Sequence, residues 1–270
     1  MWSTRSGPIG LNRGMMRIPF ELAPVGEVHP WGDERRLHWF NLTQGWYGLE
    51  VDDVELLTYT EESQALTCGA DSAVPRCVDY FVVRFWEDLL AAVPSVLEPV
   101  PGDLVEFFST DSGGWADIGS LDADLIDAAY EEHRLRGVDT GYLQYGPHFQ
   151  FCRTIESEDR ITVSWLFPID PDGVIAFNAP PSGRTTVTTD EFISAVKDFD
   201  ARLMKSMQDR VDQLVLTGPP AGMTLDVANL TWQQATRRTV LSEKLALEAN
   251  TNWDAVRTGA AILAPARPRR

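Results

Sequence analysis

The chain predicts an α+β protein, an antiparallel sheet covered by helices, and three observations carry that reading. From Thr189 to Leu216, the residues Phe192, Val196, Phe199, Leu203, Met207, Val211 and Leu214 recur every three or four positions with no Gly or Pro between them. That spacing lays one apolar stripe along a long helix. Between Gly141 and Phe177, apolar and polar residues alternate in runs joined by short Gly, Asp and Pro turns, the pattern of antiparallel hairpins. Beyond Gly222 the period is helical again, which makes the C-terminal third helical.

In chain order, residues 1–15 carry three Gly and one Pro without periodicity and are expected to be a disordered extension. Residues 16–263 then form one domain, and 264–270 a basic disordered tail; Met1, Met15 and Met16 are all candidate starts. Met16 to Leu22 reads as an edge strand, because Pro19 cannot donate to a ladder. The aromatic and β-branched runs Leu37–Phe40, Gly45–Val51 and Val54–Tyr59 predict a three-stranded meander, and 61–76 a polar loop. Helical spacing of Val82, Phe85, Trp86, Leu89, Leu90 and Val93 predicts a helix from Tyr80 that Pro94 ends. Asp103 to Phe108 fits one helical turn or a strand.

Ser120 is placed to cap a helix from Leu121 to Arg136, with Asp122, Asp124 and Asp127 near its start and Arg134 and Arg136 at its end. This order matches the helix dipole, and Gly137 is the expected stop. Strands are predicted at Tyr142–Tyr145, His148–Ile155, Arg160–Phe167 and Val174–Phe177. Alternation puts Phe149, Phe151 and Arg153 on one face and His148, Gln150 and Cys152 on the other. Thr188 or Thr189 caps the long helix, which at 1.5 Å per residue makes a rod of about 42 Å. A turn at Gly218–Gly222 follows, then a helix capped by Thr224 or Asp226 and running to about Leu247. Leu230, Val240, Leu241 and Leu245 are its inward residues, and Asn252–Leu263 is a last short helix.

The charge is lopsided. Forty acidic residues oppose 23 basic ones for a net −17, while residues 1–20 hold three Arg and no acid, and Arg267, Arg269 and Arg270 close the chain. A body this acidic repels nucleic-acid phosphate and anionic membrane, and attracts a basic protein. No run of 18 apolar residues predicts a membrane span, and the first 20 residues lack the apolar block of a secretory signal, so a cytoplasmic protein is expected. Cys68, Cys77 and Cys152 are read as reduced thiols.

No short motif assigns chemistry. Asp111 to Asp117 lacks the alternating oxygen ligands and closing Glu of a calcium loop and reads as a turn carrying Trp115. Gly218 to Thr224 has three residues between its glycines and Met223 at the lysine position, so it is not a phosphate loop. His148 and Cys152 lie about 13 Å apart along a strand, too far to act on each other. His38 has no second ligand at metal spacing. No catalytic, cofactor-binding or metal residue is therefore assigned, and no cofactor is expected.

Several stretches together resemble a known family. They are Pro30-Trp31-Gly32 with Leu37 to Phe40 and Gly45-Trp46-Tyr47, Asp139 to Leu143, Ile161 to Trp165, and Phe199 to Met204 with Met207 to Val211. The family is an actinobacterial domain of unknown function, and the resemblance runs from Met16 to the last helix. It implies no catalytic residues.

Three functions compete. A protein-binding factor, immunity- or antitoxin-like, that meets a basic partner through acidic clusters ranks first; its surface is Asp111, Asp117, Asp122 and Asp124 around an apolar anchor, Trp115. Asp52, Asp53 and Glu55 form a further acidic cluster. An enzyme with a motif-free site built from residues such as His38, His133 or His148 and nearby acids ranks second. An assembly protein joined through the long helix ranks third.

Overall fold

The structure is a computed structural model, and it describes residues 15–68, 78–109, 115 and 123–263. The strands are β1 (Met16–Arg17), β2 (Phe20–Leu22), β3 (Arg36–Leu37), β4 (Gln44–Tyr47), β5 (Glu50–Val51), β6 (Val54–Glu55), β7 (Val78–Phe81), β8 (Gly137–Asp139), β9 (His148–Ile155), β10 (Asp159–Leu166), β11 (Ser182–Thr188) and β12 (Thr224–Leu225). The helices are α1 (Glu61–Cys68), α2 (Val82–Leu97), α3 (Val105–Phe108), α4 (Ala123–Leu135), α5 (Thr189–Thr217), α6 (Val227–Arg237), α7 (Val240–Ala246) and α8 (Trp253–Leu263). The fold is α+β with antiparallel sheets, a long helix and a helical C-terminal region.

The long helix organises the main core. Thr188 accepts from the Glu191 N–H while the Glu191 carboxylate accepts from the Thr188 N–H, a complete capping box that starts α5 where the sequence placed it. Its stripe Phe192, Val196, Phe199, Leu203, Met207, Val211 and Leu214 is buried. The lower end lies on the sheet β11-β10-β9-β8, where Phe151 meets Phe192 edge-on at 5.5 Å. Further along, Phe199 meets Phe20 at 5.5 Å and Phe85 of α2 at 6.2 Å. Two arginines of α5 fasten the N-terminal segments: Arg202 donates to the Ile18 carbonyl (2.8 Å), and Arg210 to those of Leu42 (2.6 Å) and Ala23.

A second apolar cluster lies across the sheet. Phe107 and Phe108 of α3, Ile126 and Ala129 of α4, and Val256, Ala260 and Leu263 of α8 gather over Cys152 of β9. Helices α4 and α8 touch at Gly259, where a Cβ would come within 2.7 Å of Ala129 Cβ. Arg136, at the end of α4, is fully buried between the rings of Phe108 (5.3 Å) and Trp253 (5.2 Å). Its Nε bonds Glu132 (2.7 Å) and its Nη1 donates to the Glu98 carbonyl (2.9 Å).

Several predicted elements are corrected. The expected meander forms only in part: β3 pairs in parallel with β12, β4 of the second run sits between β2 and β7, and only the end of that run, β5, pairs with β6 of the third, in a hairpin that also pairs with β1. Alternation reports extended backbone and not its partner, and here Asn41 turns the chain by accepting from the His38 N–H (2.6 Å). Ile18-Pro19 splits the expected edge strand into β1 and β2. Residues 61–68 form α1 instead of a loop, with Thr60 Oγ1 accepting from the Ser63 N–H at 3.2 Å. Pro94 stays inside α2, because burying Val93 and Val96 offsets the hydrogen bond it cannot make. Residues 142–145 form turns, and 174–177 contribute only an isolated bridge, Tyr59 to Phe177. The sheet's fourth strand is β11, whose single buried residue, Val187, leaves no apolar alternation to read. The expected helix from residue 224 to 247 is two, α6 and α7, and the cap is Asp226.

The expected terminal extension and tail, 1–14 and 264–270, lie outside the described residues, as do the side chains of Cys68 and Cys77; Cys152 is a free, buried thiol. Among the described residues no helix is long and apolar enough to cross a membrane.

Candidate functional site

The second face of β8–β11 is closed over Cys152 and opens toward His148. A cleft of about 600 Å³ lies there, walled by Arg84 and Asp88 of α2, Tyr130, His133 and Arg134 of α4, Trp115, Gly137 and Asp139 of β8, Tyr142, and His148 of β9. A smaller cleft of about 280 Å³ runs over the sheet past Gln150, Ser164 and Arg184. His133 and His148 line both.

Local sequence places each group. Arg84 and Asp88 are one turn apart on α2 and pair at 3.1 Å through Asp88 Oδ1. Asp88 Oδ2 is buried with no hydrogen-bond partner among the described residues. Burial pushes this carboxyl up to about 6; Arg84 pulls it back, and Glu87 and Asp139 add to the rise. The Arg84 guanidinium lies 5.5 Å from the Tyr142 ring centre, and Tyr142 stacks on Tyr80 at 4.9 Å while accepting from the Tyr47 hydroxyl (3.3 Å). Burial raises both Tyr47 and Tyr142 above the ordinary phenol range, so they are neutral donors and acceptors. The Asp139 carboxylate accepts from the Gly141 N–H (2.9 Å), which shapes the turn that leads back to β9.

His148 is oriented through Gln150. The Gln150 Nε2 donates to the His133 carbonyl (3.0 Å), so its Oε1, 3.3 Å from His148 Nε2, can only accept. A neutral His148 that makes this bond carries its proton on Nε2, which leaves Nδ1 as the acceptor nitrogen, with no protein partner among the described residues. Gly137 makes room for this pair: a Cβ there would stand 2.8 Å from His148 Cε1 and 3.0 Å from Gln150 Oε1. His133 is a wall residue, buried among Phe107, Phe108 and Trp115 at ring distances of 5.6, 6.0 and 4.7 Å.

Of the predicted partner surface, Trp115 is half-buried, stacks on Phe107 at 5.1 Å and lines the larger cleft. Asp124 is exposed in the first turn of α4 and does not line it. Asp111, Asp117 and Asp122 lie outside the described residues. Asp52, Asp53 and Glu55 sit at the β5–β6 turn, where Asp52 accepts from Thr185 (2.7 Å). His38 is half-buried beside Trp31 (5.8 Å) and lines neither of the clefts that His133 and His148 share. Asp88, Arg84, Asp139, Tyr142 and Gln150 were not singled out by sequence; the i, i+4 spacing of Arg84 and Asp88 was the available signal. Among the described residues, no group of three or more His, Cys, Asp or Glu is placed to hold a metal.

Fold and site together define an α+β protein with a mixed-charge, aromatic-walled cleft at the open end of an antiparallel sheet. The chain belongs to the family described as a family of unknown function (DUF5984), whose model matches residues 17–259. No curated protein and no solved structure matches it.

Proposed function

We propose that the protein is an acid–base enzyme acting on a small polar molecule in the cleft between α2, α4 and β8–β9, with His148 as general base and Asp88 as the second titratable group. The observation that carries this reading is the chain His133 carbonyl–Gln150–His148, which selects one tautomer of the neutral ring and leaves Nδ1 without a protein partner among the described residues. A base positioned by a neutral amide, in the same cleft as a carboxyl poised near neutral pH, suits proton transfer at physiological pH. Tyr142 and Arg84 supply a hydroxyl and a cation to orient the substrate.

The test is incubation of the purified protein with a small-molecule extract of its host, followed by untargeted mass spectrometry over time. Depletion of one compound by the parent, lost in His148→Gln and slowed in Gln150→Leu, is the expected result. No depletion, or equal depletion by His148→Gln, overturns the proposal.

A second reading, binding of a basic protein, draws on the net charge of −17 and on Trp115, a half-buried aromatic that lines the cleft. Its kinetic mark is an association rate that falls steeply with salt while dissociation changes little.

A further inference from the structure

We infer that the smaller cleft is an oxyanion subsite, in which Arg184 and the hydroxyls of Ser164 and Ser182 hold a carboxylate or phosphate of a ligand whose remainder reaches His148. This inference rests on the proposal that the clefts around His148 are the functional site, and it names the class of ligand.

Strand register builds the subsite. Gly137, Gln150, Ser164 and Arg184 stand opposite one another on β8, β9, β10 and β11, so the last three put their side chains in one row across the cleft face. His148, Leu166 and Ser182 make the next row. Two strand spacings and two residues of rise separate His148 from Arg184, which makes about 12 Å between their Cα atoms. Both side chains rise from the same face, so a short molecule bridges them.

Charge sets the sign of the ligand. The chain carries −17, yet among the described residues that line this cleft of about 280 Å³ there is no Asp or Glu. The arginines of the larger cleft are committed, Arg84 to Asp88 at 3.1 Å and Arg134 to Glu131 at 2.7 Å. Arg184 has neither an acid nor a hydrogen-bond acceptor on its guanidinium among the described residues. The hydroxyls of Ser164 and Ser182 are equally without partners there, and Gln150 Nε2 gives only one of its two N–H groups to the His133 carbonyl. A guanidinium fork matches a carboxylate or phosphate with two parallel bonds, and hydroxyls beside it serve the remaining lone pairs. A cationic group would meet Arg184 with no acid to offset it. Arg184 lies on an edge strand, where a charge also discourages pairing with another sheet, but that role needs neither the hydroxyls nor a cleft.

The experiment is a nuclear magnetic resonance titration of the full chain with butyrate, butyl phosphate, butylammonium and butanol, followed at the backbone amides of β10 and β11 and at the His148 ring. The two anions bind and shift the amides of Ser164, Ser182 and Arg184, while the cation and the alcohol do not. Arg184→Gln weakens the anions by about tenfold or more. Because Arg184 is exposed and unpaired among the described residues, this variant folds as the parent does. Ser164→Ala gives a smaller loss. Tighter binding of butyrate assigns a carboxylate, tighter binding of butyl phosphate assigns a phosphate, and equal binding assigns the oxyanion that they share. Absence of anion binding, anion binding that Arg184→Gln leaves unchanged, or butylammonium bound as tightly as the anions overturns the inference. The titration contains no turnover. Anion binding at Arg184 without His148-dependent depletion of any compound removes the catalytic proposal and leaves this one, and depletion without anion binding does the opposite.

Discussion

On one face of β8–β11, Phe149, Phe151, Val163 and Trp165 are buried in the main core, and Phe151 touches the long helix; on the other, His148, Gln150 and Ser164 line clefts. The same two strands, β9 and β10, supply these residues to both faces, by the alternation that every strand imposes. What differs is the cover. Helix α5 runs the apolar face with a continuous stripe, whereas α3, α4 and α8 cover the other face only around Cys152. Where cover stops, buried polar side chains must find partners or solvent, and here they form the Gln150–His148 pair. A sheet sealed on one side gives the rigidity that a site on its other side needs.

The contrast can be broken most severely from the sealed side. Leu203→Asp places a charge at a fully buried position of the α5 stripe and is expected to cost ~4 kcal/mol or more in a denaturant titration. Stability equal to the parent would show that the stripe does not hold the sheet.

On the cleft side, a substitution is expected to stabilise. The folded pKa of Asp88, about 6, lies above its unfolded value of 3.8, so the native state holds the proton more tightly than the unfolded state. The Asp88 contribution is therefore most favourable below about pH 4 and is lost as pH rises through 6, under the opposing influence of Arg84 and the reinforcing one of Glu87 and Asp139. Asp88→Asn removes that penalty and should gain ~2 kcal/mol at pH 7.5, with the gain vanishing near pH 4. A loss at pH 7.5, or a gain independent of pH, would refute the assignment of Asp88 as a strained acid. Stability surrendered for a reactive group is the usual trade at functional sites.

The smallest expected change in stability is Gly137→Ala. The atoms nearest its Cβ are the ends of His148 and Gln150, which can swing aside, so unfolding should shift by less than ~1 kcal/mol. Nuclear magnetic resonance of the His148 ring should nevertheless report a changed environment and a lost Nε2 proton contact. An unchanged spectrum would mean that Gly137 does not set the histidine's position.

These differences mirror what the sequence made legible. The α5 stripe and its Thr188 and Glu191 cap were readable because helix period and capping are local, and the faces of β9 followed from alternation alone. Strand partners were not readable: nothing in Arg36-Leu37 names Thr224-Leu225 as its neighbour. Strand β11 escaped because an edge strand with one buried side chain has no apolar pattern. His133 and His148 were visible as residues, but the cleft that joins them to Asp88 depends on the turn 140–147 and on where α2 crosses β8. Long-range placement of this kind leaves no local trace in one sequence.

The buried guanidinium of Arg136 has a consequence for how the protein is made. The ribosome delivers Glu98 and Arg136 well before Trp253, whose ring covers one side of that cation, and Thr251, whose hydroxyl bonds the Glu98 carboxylate. At ordinary ribosomal elongation rates the interval is on the order of ten seconds. Throughout it Arg136 has its acids but lacks its final wall, so water keeps access to a charge that the finished molecule seals away. The nascent chain thus has a built-in waiting state: the α5 side of the sheet can consolidate first, and the α3–α4 side closes only when the last helix arrives.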